Sequence, residues 1–271
     1  MINFLHTNTP EAILISFGNL KIYWYGFFIV LSILLASVII LKLAEYYKLK
    51  KETIIDISFW LIINGLIGGR IYHIFLEFNF YFHHPTQMIK VWEGGLAIHG
   101  AIFASLLTLY YFARKNKIDF WTLASLFAPG LALGQTIGRW GNYFNQELYG
   151  KPTNVPWGIP IEIAHRLPEY YNFKFFHPTF IYESLGNLII FSSLIFVHFL
   201  IIKKNILNPK YLVFIYLISY SILRFSLEFI RIDTTPFTLG LRFPQIVSII
   251  IVITIIILWQ KKTNKKISKT R

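Results

Sequence analysis

The chain contains no cysteine. Disulfide scaffolds, thiolate metal sites and a cysteine nucleophile are therefore excluded before any motif is considered. Charge is scarce as well: 14% of the 271 residues are Asp, Glu, Lys or Arg, against about 25% in an ordinary soluble domain. Acidic groups are the scarcer sign, 13 against 26 lysines and arginines, for a formal net charge of +13. Such an excess points to nucleic acid only when it gathers on one soluble face. Here the basic residues sit between apolar runs, and membrane orientation accounts for them. Also missing are a glycine loop ending in Lys-Ser/Thr, an HExxH zinc motif and a GxSxG elbow. The adjacent His83 and His84 lie in a connection and read as a solvated loop pair. Neither a metal nor a cofactor is expected.

What the chain has in abundance is apolar surface: 55% hydrophobic and 18% aromatic residues, with a mean hydropathy of +0.54. About 20 apolar residues are needed to cross the hydrocarbon of a bilayer. Seven runs meet that length: Ile22–Leu41, Thr53–Leu76, Gly94–Ala113, Phe120–Gly138, Pro178–Ile202, Tyr211–Ile230 and Phe243–Gln260. The first is too long for a signal core and is preceded by Lys21 as its only basic group, so it is expected to remain in the mature protein. The expected fold is an all-α integral membrane protein of seven transmembrane helices, one domain spanning residues 1–271.

Orientation follows from the lysines and arginines. One alternate set of connections holds 16 of the 26, from Lys42, Lys48, Lys50 and Lys51 to the run Lys261, Lys262, Lys265, Lys266, Lys269 and Arg271. That side is read as cytoplasmic, which puts the N-terminus outside. Of the outer connections, 142–177 is the longest. Pro152, Pro156, Pro160 and Pro168 forbid a continuous helix there, and the segment is expected to fold as a small outer-face cap. Residues 1–20 and 77–92 mix aromatic and polar positions and read as interfacial arms or lids.

An ionisable group inside a span is costly and marks a functional site by default. Tyr25, Arg70, His99, Arg139, Glu183, Arg224 and Glu228 all fall on the outer halves of their spans, and the inner halves offer almost no polar groups. A transport path would need polar groups at successive depths, so the pattern describes a polar pocket in the outer leaflet. An outward-facing anion-binding receptor or transporter, or another enzyme acting on phospholipid head groups, remains an alternative at this point.

Within that set the densest segment is GQTIGRWGNYFNQELYG, Gly134–Gly150. Gly130, Gly134 and Gly138 recur every four residues, which lets another helix approach closely, and Gly141 is expected to loosen the helix near its exit. Arg139, Asn142, Asn145 and Glu147 follow within nine residues. An arginine fork beside two amides suits a phosphodiester better than a lysine point charge, although a structural Arg139–Glu147 pair fits the same spacing. Tyr220, Arg224 and Glu228 share a helix face, with Arg231 three residues beyond. Arg224 and Glu228 could pair internally. A second arginine at the depth of Arg139, however, implies an anion between them. His99, in GGLAIHGAIF, is the ordinary side chain poised for proton transfer near neutrality. Tyr25 in IYWYG fits an interfacial anchor, and Arg70 in NGLIGGR and Tyr182–Glu183 in HPTFIYES are ambiguous.

Together WYG at Tyr25, GGR at Arg70, GGLAIHG at His99, GRWGNYFNQELYG at Arg139–Gly150, HPTFIYE at His177–Glu183 and RFSLEFIR at Arg224–Arg231 resemble bacterial prolipoprotein diacylglyceryl transferase. The segments occur in family order between Tyr25 and Gln245, and the GRxGNxxNxExxG pattern is the specific one. Ala101 and Tyr143 depart from the family's usual glycine and phenylalanine. The resemblance implies a seven-helix enzyme of the bacterial inner membrane with an outward-facing site. It implies transfer of diacylglycerol from phosphatidylglycerol to the lipobox cysteine thiol of a prolipoprotein signal peptide, giving a thioether and glycerol 1-phosphate. Carried onto this chain, it makes His99, Arg139, Arg224 and Tyr25 catalytic candidates. The binding candidates are Arg139, Asn142, Glu147, Gly150, Glu228, Arg231 and, from its motif, Arg70. His99 is the expected base for the thiol, with the arginine field as a rival way to favour the thiolate.

Overall fold

The computed structural model describes residues 2–18, 20–204 and 208–267. Along the chain run α1 (Ile2–Thr7), the ribbon β1 (Ile13–Phe17) and β2 (Leu20–Tyr23), α2 (Trp24–Tyr46), α3 (Lys51–Leu76) and α4 (Phe78–His83). Then come α5 (Ile98–Lys115), α6 (Phe120–Phe144), β3 (Ile159–Pro160) with β4 (Phe175–Phe176), α7 (Thr179–Lys204) and α8 (Lys210–Leu227). A second short ribbon, β5 (Phe237–Thr238) and β6 (Leu241–Arg242), leads into α9 (Phe243–Ile267). Each β pair is antiparallel. Of the basic residues that set the expected orientation, Lys269 and Arg271 lie outside the described residues.

Among the described residues, six helices are long and apolar enough to cross a membrane: α2, α3, α6, α7, α8 and α9. The chain is a mostly helical, multi-pass membrane protein. Large apolar side chains stand exposed along these helices, among them Leu34, Phe75, Ile189 and Ile222. A water-soluble surface would not carry so many, and lipid tails are their natural solvent.

The seventh expected span is a helix, α5, but at 18 residues it is only as long as α8 and its composition is more polar than that of the six. It begins four residues late because Gly94 and Gly95 take φ of +93° and +73°, which no helix accommodates. The first span starts at Trp24 because Ile22 and Tyr23 pair in the β ribbon. The fourth continues through Gly141 to Phe144, so Gly141 does not loosen the helix there as expected. Its missing side chain serves packing: a Cβ at Gly141 would lie 2.6 Å from Tyr25 Cδ2.

The chain divides into two compact units, Ser37–Phe127 and Met1–Ala36 with Ala128–Arg271. In Ser37–Phe127, α3 and α5 touch backbone to backbone at a seam of small residues. A Cβ on Gly100 would sit 2.2 Å from the Gly68 carbonyl oxygen, and one on Gly68 would sit 2.4 Å from Ala104 Cβ. Close approach of this kind is how helices associate where no hydrophobic driving force separates them from lipid. Farther along, Asn64 Nδ2 donates to Thr108 Oγ1 at 2.9 Å across the same pair.

In the other unit, Ala128, Ala132, Ile190, Leu194, Leu212 and Tyr216 build a core of α6, α7 and α8. The segment after α6 has its own core of Tyr143, Tyr149, Ile159, Ile161, Phe176 and Phe180, joined by Leu5 from α1. Polar groups also continue along α6–α8 well beyond the arginine positions, contrary to expectation. Asn187 and His198 are fully buried, Lys210 and Tyr216 nearly so, and Tyr216 donates to Gln135 Oε1 at 3.2 Å. Packing of three helices on one another shields these groups from lipid, so single-helix hydropathy does not reveal them.

Candidate active site

The end of α6, the start of α7 and the end of α8 bring opposite charges together inside one unit. Arg139 comes from the last turns of α6. Its Nη2 lies 2.6 Å from Oε1 of Glu183 on α7. Oε2 of the same carboxylate lies 3.8 Å from Arg224 Nη1 and 3.5 Å from Arg231 Nη1. Glu183 is 1% exposed, and a buried carboxylate is tolerable only with such compensation. One acidic residue thus holds three arginines, and it was the ambiguous one in the sequence.

A second hub stands beside the first. Glu228 Oε1 lies 2.6 Å from Arg224 Nη2 and 3.7 Å from Arg231 Nε, while Oε2 lies 2.8 Å from Arg242 Nε. The expected Arg224–Glu228 pair is therefore present, as part of a wider network. Asp233 closes the set, 2.8 Å from Arg231 Nε and 3.5 Å from Arg242 Nη2. Burial raises its carboxyl, but the bond from Arg231 and the charges of Arg231, Arg242 and Arg224 outweigh burial and hold it below the usual carboxylate range.

Four arginines face three carboxylates in this network, leaving positive charge in excess. The exposure pattern says where that excess is available. The side chains of Arg231 and Arg242 are 3% and 9% exposed, whereas those of Arg139 and Arg224 are 21% and 18%. The two inner arginines are consumed by structure. The two outer ones present guanidinium groups that can still meet an anion, the geometry for bidentate recognition of phosphate.

The loop after α6 completes the outer edge. Asn142 Oδ1 accepts from Arg139 Nη1 at 3.1 Å, and Asn142 Nδ2 donates to Glu147 Oε1 at 2.7 Å. Asn145 Nδ2 donates to the same oxygen at 3.3 Å. Glu147 thus acts on Arg139 through Asn142, in place of a direct ion pair. The fold-back that allows this uses Gln146 and Leu148 at φ of +51° and +55°, a conformation non-glycine residues rarely adopt. Gln146 is fixed on both sides, donating to the Pro10 carbonyl and accepting from the Glu162 N–H.

Gly150 is a crossing point of main chains. Its N–H donates to the His177 carbonyl at 2.9 Å, and the Lys151 N–H to the Ile230 carbonyl at 2.8 Å. A Cβ there would meet His177 Cβ and Ile230 Cγ2 at 2.8 Å. Gly150 bridges to Arg231 and so seats the segment after α6 against the arginine that Glu183 and Glu228 share. Tyr25, at the first turn of α2, lies against Gly141, two residues along α6 from Arg139.

Two expected site residues belong to the other unit. His99 is at the start of α5, exposed, with its ring 6.2 Å from Tyr72. Arg70 is buried and fully engaged. Its Nε donates to the Met88 carbonyl at 2.9 Å, Nη1 to Gly94 and Gly95, and Nη2 to Gln87 and Lys90. All five N–H donors of a guanidinium are taken by loop carbonyls, which makes Arg70 the anchor of the segment between α4 and α5. His83 and His84 each donate Nδ1–H to a carbonyl of their own short helix, those of Asn79 and Phe80.

Arg242 and Asp233 are the network members that the sequence reading left out, while Glu183, named there among the ionisable groups of the outer halves, was given no role. The signal for Glu183 was its place in HPTFIYES. Arg242 had no signal, because the carboxylates it meets, Asp233 and Glu228, lie 9 and 14 residues away in sequence and outside its own element.

A model of the prolipoprotein diacylglyceryl transferase family matches residues 12–260. Curated relatives carry the name phosphatidylglycerol–prolipoprotein diacylglyceryl transferase. One from Nostoc sp. is 40% identical over 248 residues, covering 91% of this chain and 87% of that protein. One from Acaryochloris marina is 39% identical over 244 residues, covering 89% and 87%. One from Thermosynechococcus vestitus is 37% identical over 243 residues, covering 89% and 88%. On a match that runs through nearly every element carrying the arginine network, this chain belongs to the prolipoprotein diacylglyceryl transferase family.

Proposed function

We propose that this protein transfers the diacylglyceryl group of phosphatidylglycerol to the lipobox cysteine of a prolipoprotein, the first step of bacterial lipoprotein maturation. The observation that carries the reading is the convergence of Arg139 and Arg224 on Glu183, with both arginine side chains still partly exposed. The names of the relatives supply the substrates.

In this reading Arg139 and Arg224 hold the phosphodiester of the lipid. The cysteine thiolate attacks the glycerol carbon that carries the phosphate. A C–S bond forms, that C–O bond breaks, and glycerol 1-phosphate leaves with the electron pair. Negative charge grows on the leaving phosphate, where fixed arginines contribute most. The thiol must first lose its proton, since the thiolate is the nucleophile. His99 is the residue we assign to accept it, and the arginine field also favours the thiolate. Asn142 and Glu147 orient Arg139, and Glu228 and Arg231 orient Arg224 and Glu183. Gly150 seats the outer loop, and Tyr25 lines the approach to Arg139. Arg70 supports the reaction only by fixing its loop.

The membrane arrangement belongs to the same proposal. α5 is the seventh span of one transmembrane domain, the N-terminus lies outside, and the arginine network faces the outer leaflet of the bacterial cytoplasmic membrane. Residues 142–177 then form an outer cap, and lipid enters between helices.

The test uses purified protein in phosphatidylglycerol liposomes with a lipobox peptide. The expected result is one diacylglyceryl mass added to the peptide for each glycerol phosphate released, and none on a peptide whose cysteine is replaced by serine. A folded protein that binds the lipid yet leaves the thiol untouched would overturn the reading.

A further inference from the structure

Arg242 stands outside the motifs of the sequence and makes no contact with Arg139 or Arg224. It is the last residue of β6 and the residue before α9. That is an unfavourable place for a cation, because the first turn of a helix carries the positive end of its dipole. The fold nonetheless fixes it there by three devices. The Gln245 side chain accepts the Arg242 backbone N–H at 3.0 Å, which caps α9. The ribbon register pairs Arg242 with Phe237. The turn between the strands holds Leu239 and Gly240 at φ of +55° and +75°, the tight hairpin geometry that a bulky leucine enters only at a cost in strain.

The guanidinium placed in this way points at the second hub. Its Nε lies 2.8 Å from Glu228 Oε2 and 2.9 Å from Thr235 Oγ1. Its Nη1 and Nη2 donate to the Arg231 and Asp233 carbonyls. Glu228 therefore divides its oxygens, Oε2 toward Arg242 and Oε1 toward Arg224. Without Arg242, Oε2 would lose its ion partner and the whole carboxylate would be left to Arg224 and Arg231, the two arginines already beside Oε1.

We infer that Arg242 is a positioning residue for the phosphate site, acting through Glu228 to keep the Arg224 guanidinium turned toward the lipid. The inference rests on the phosphate-holding role proposed for Arg224. Its competitor is a purely structural Arg242 that clamps the 231–235 loop through the two carbonyls.

A double-mutant cycle separates the two. Binding of short-chain phosphatidylglycerol is measured in detergent for wild type, Arg242→Gln, Arg242→Lys, Glu228→Gln and Glu228→Gln with Arg242→Gln, with melting temperature followed in parallel. Arg242→Gln is expected to weaken binding about tenfold, and to weaken it less than about twofold further once Glu228→Gln is present, the mark of two residues acting as one unit. Arg242→Lys, which keeps the charge but not the forked clamp, is expected to recover most of the affinity. Full additivity of the two changes, or equal loss in the lysine and glutamine variants, overturns the inference and leaves the clamp. If Arg242→Gln does not fold, the lysine variant decides alone: near-wild-type affinity supports the positioning role, and a tenfold loss overturns it. Wild-type protein that fails to bind the lipid at all contradicts the proposed function itself, a result distinct from an additive cycle.

Discussion

Arg139 and Glu183 meet at 2.6 Å from two different helices, and the Glu183 side chain is 2% exposed while that of Arg139 is 21% exposed. The pair is asymmetric by design: the anion is sealed inside and the cation keeps an open edge. The same carboxylate reaches Arg224 and Arg231, so removing it affects three cations at once. Glu183→Gln keeps the shape and deletes the charge. It is expected to destabilise the protein by about 3–5 kcal/mol, the usual result of leaving buried charge uncompensated. Thermal unfolding in detergent checks this, and a change below about 1 kcal/mol would mean that the arginines find other partners.

Gly150 and Gly134 make a matched pair of controls. A methyl group on Gly150 meets His177 and Ile230 at 2.8 Å, whereas one on Gly134 meets nothing within 4 Å. Gly150→Ala is expected to cost about 1–3 kcal/mol through overpacking and to lower lipid binding by shifting Arg231. Gly134→Ala, inside α6, is expected to be neutral or to stabilise by up to about 1 kcal/mol. Melting temperatures and lipid affinity of the two variants check the contrast. Equal behaviour would contradict the packing assigned to Gly150.

Arg70→Lys tests the loop anchor. An ammonium has three donors on a flexible stem and cannot replace a fork bound to five carbonyls. The segment from Pro85 to Gly95 is expected to become sensitive to limited proteolysis, at a cost of about 2 kcal/mol from carbonyls left without donors. Protection equal to wild type would remove Arg70 from that role.

The charge network also sets an acid limit. The Asp233 carboxyl is held below its ordinary value in the folded state, so the native protein binds fewer protons than the unfolded chain. That contribution is complete above about pH 4, the unfolded carboxyl value. It is lost as pH falls through the lower folded value. Asp233→Asn is expected to flatten this limb of the stability curve and to leave its shape near neutrality unchanged. Melting curves between pH 3 and pH 7 check the sign.

Much of the architecture was legible because hydrocarbon imposes a length and a composition. Six of the seven apolar runs are helices able to cross a membrane, displaced by a few residues where Ile22 and Tyr23 pair in a ribbon or where Phe144 extends α6. α5 differs because two glycines with positive φ delay its start. In the site, Arg139, Asn142 and Glu147 were readable from one contiguous segment, and Arg224–Glu228 from helical spacing. Glu183 was legible only as an ionisable group within its span, and Arg242 not at all, since ion pairs between distant elements leave no periodicity in a single sequence. Arg70, expected as a binding group, has its five donors on loop carbonyls instead.

The central claim is that Arg139 and Arg224 hold the phosphate of the lipid. The direct measurement is single-turnover diacylglyceryl transfer from phosphatidylglycerol to a lipobox peptide by wild type, Arg139→Ala and Arg224→Ala, with glycerol phosphate release followed in the same samples. Each alanine variant is expected to fold, to leave peptide and lipid intact, and to slow transfer by about 10²–10³-fold, the cost of removing one fixed donor from a developing negative charge. Transfer at the wild-type rate in either folded variant would contradict the account.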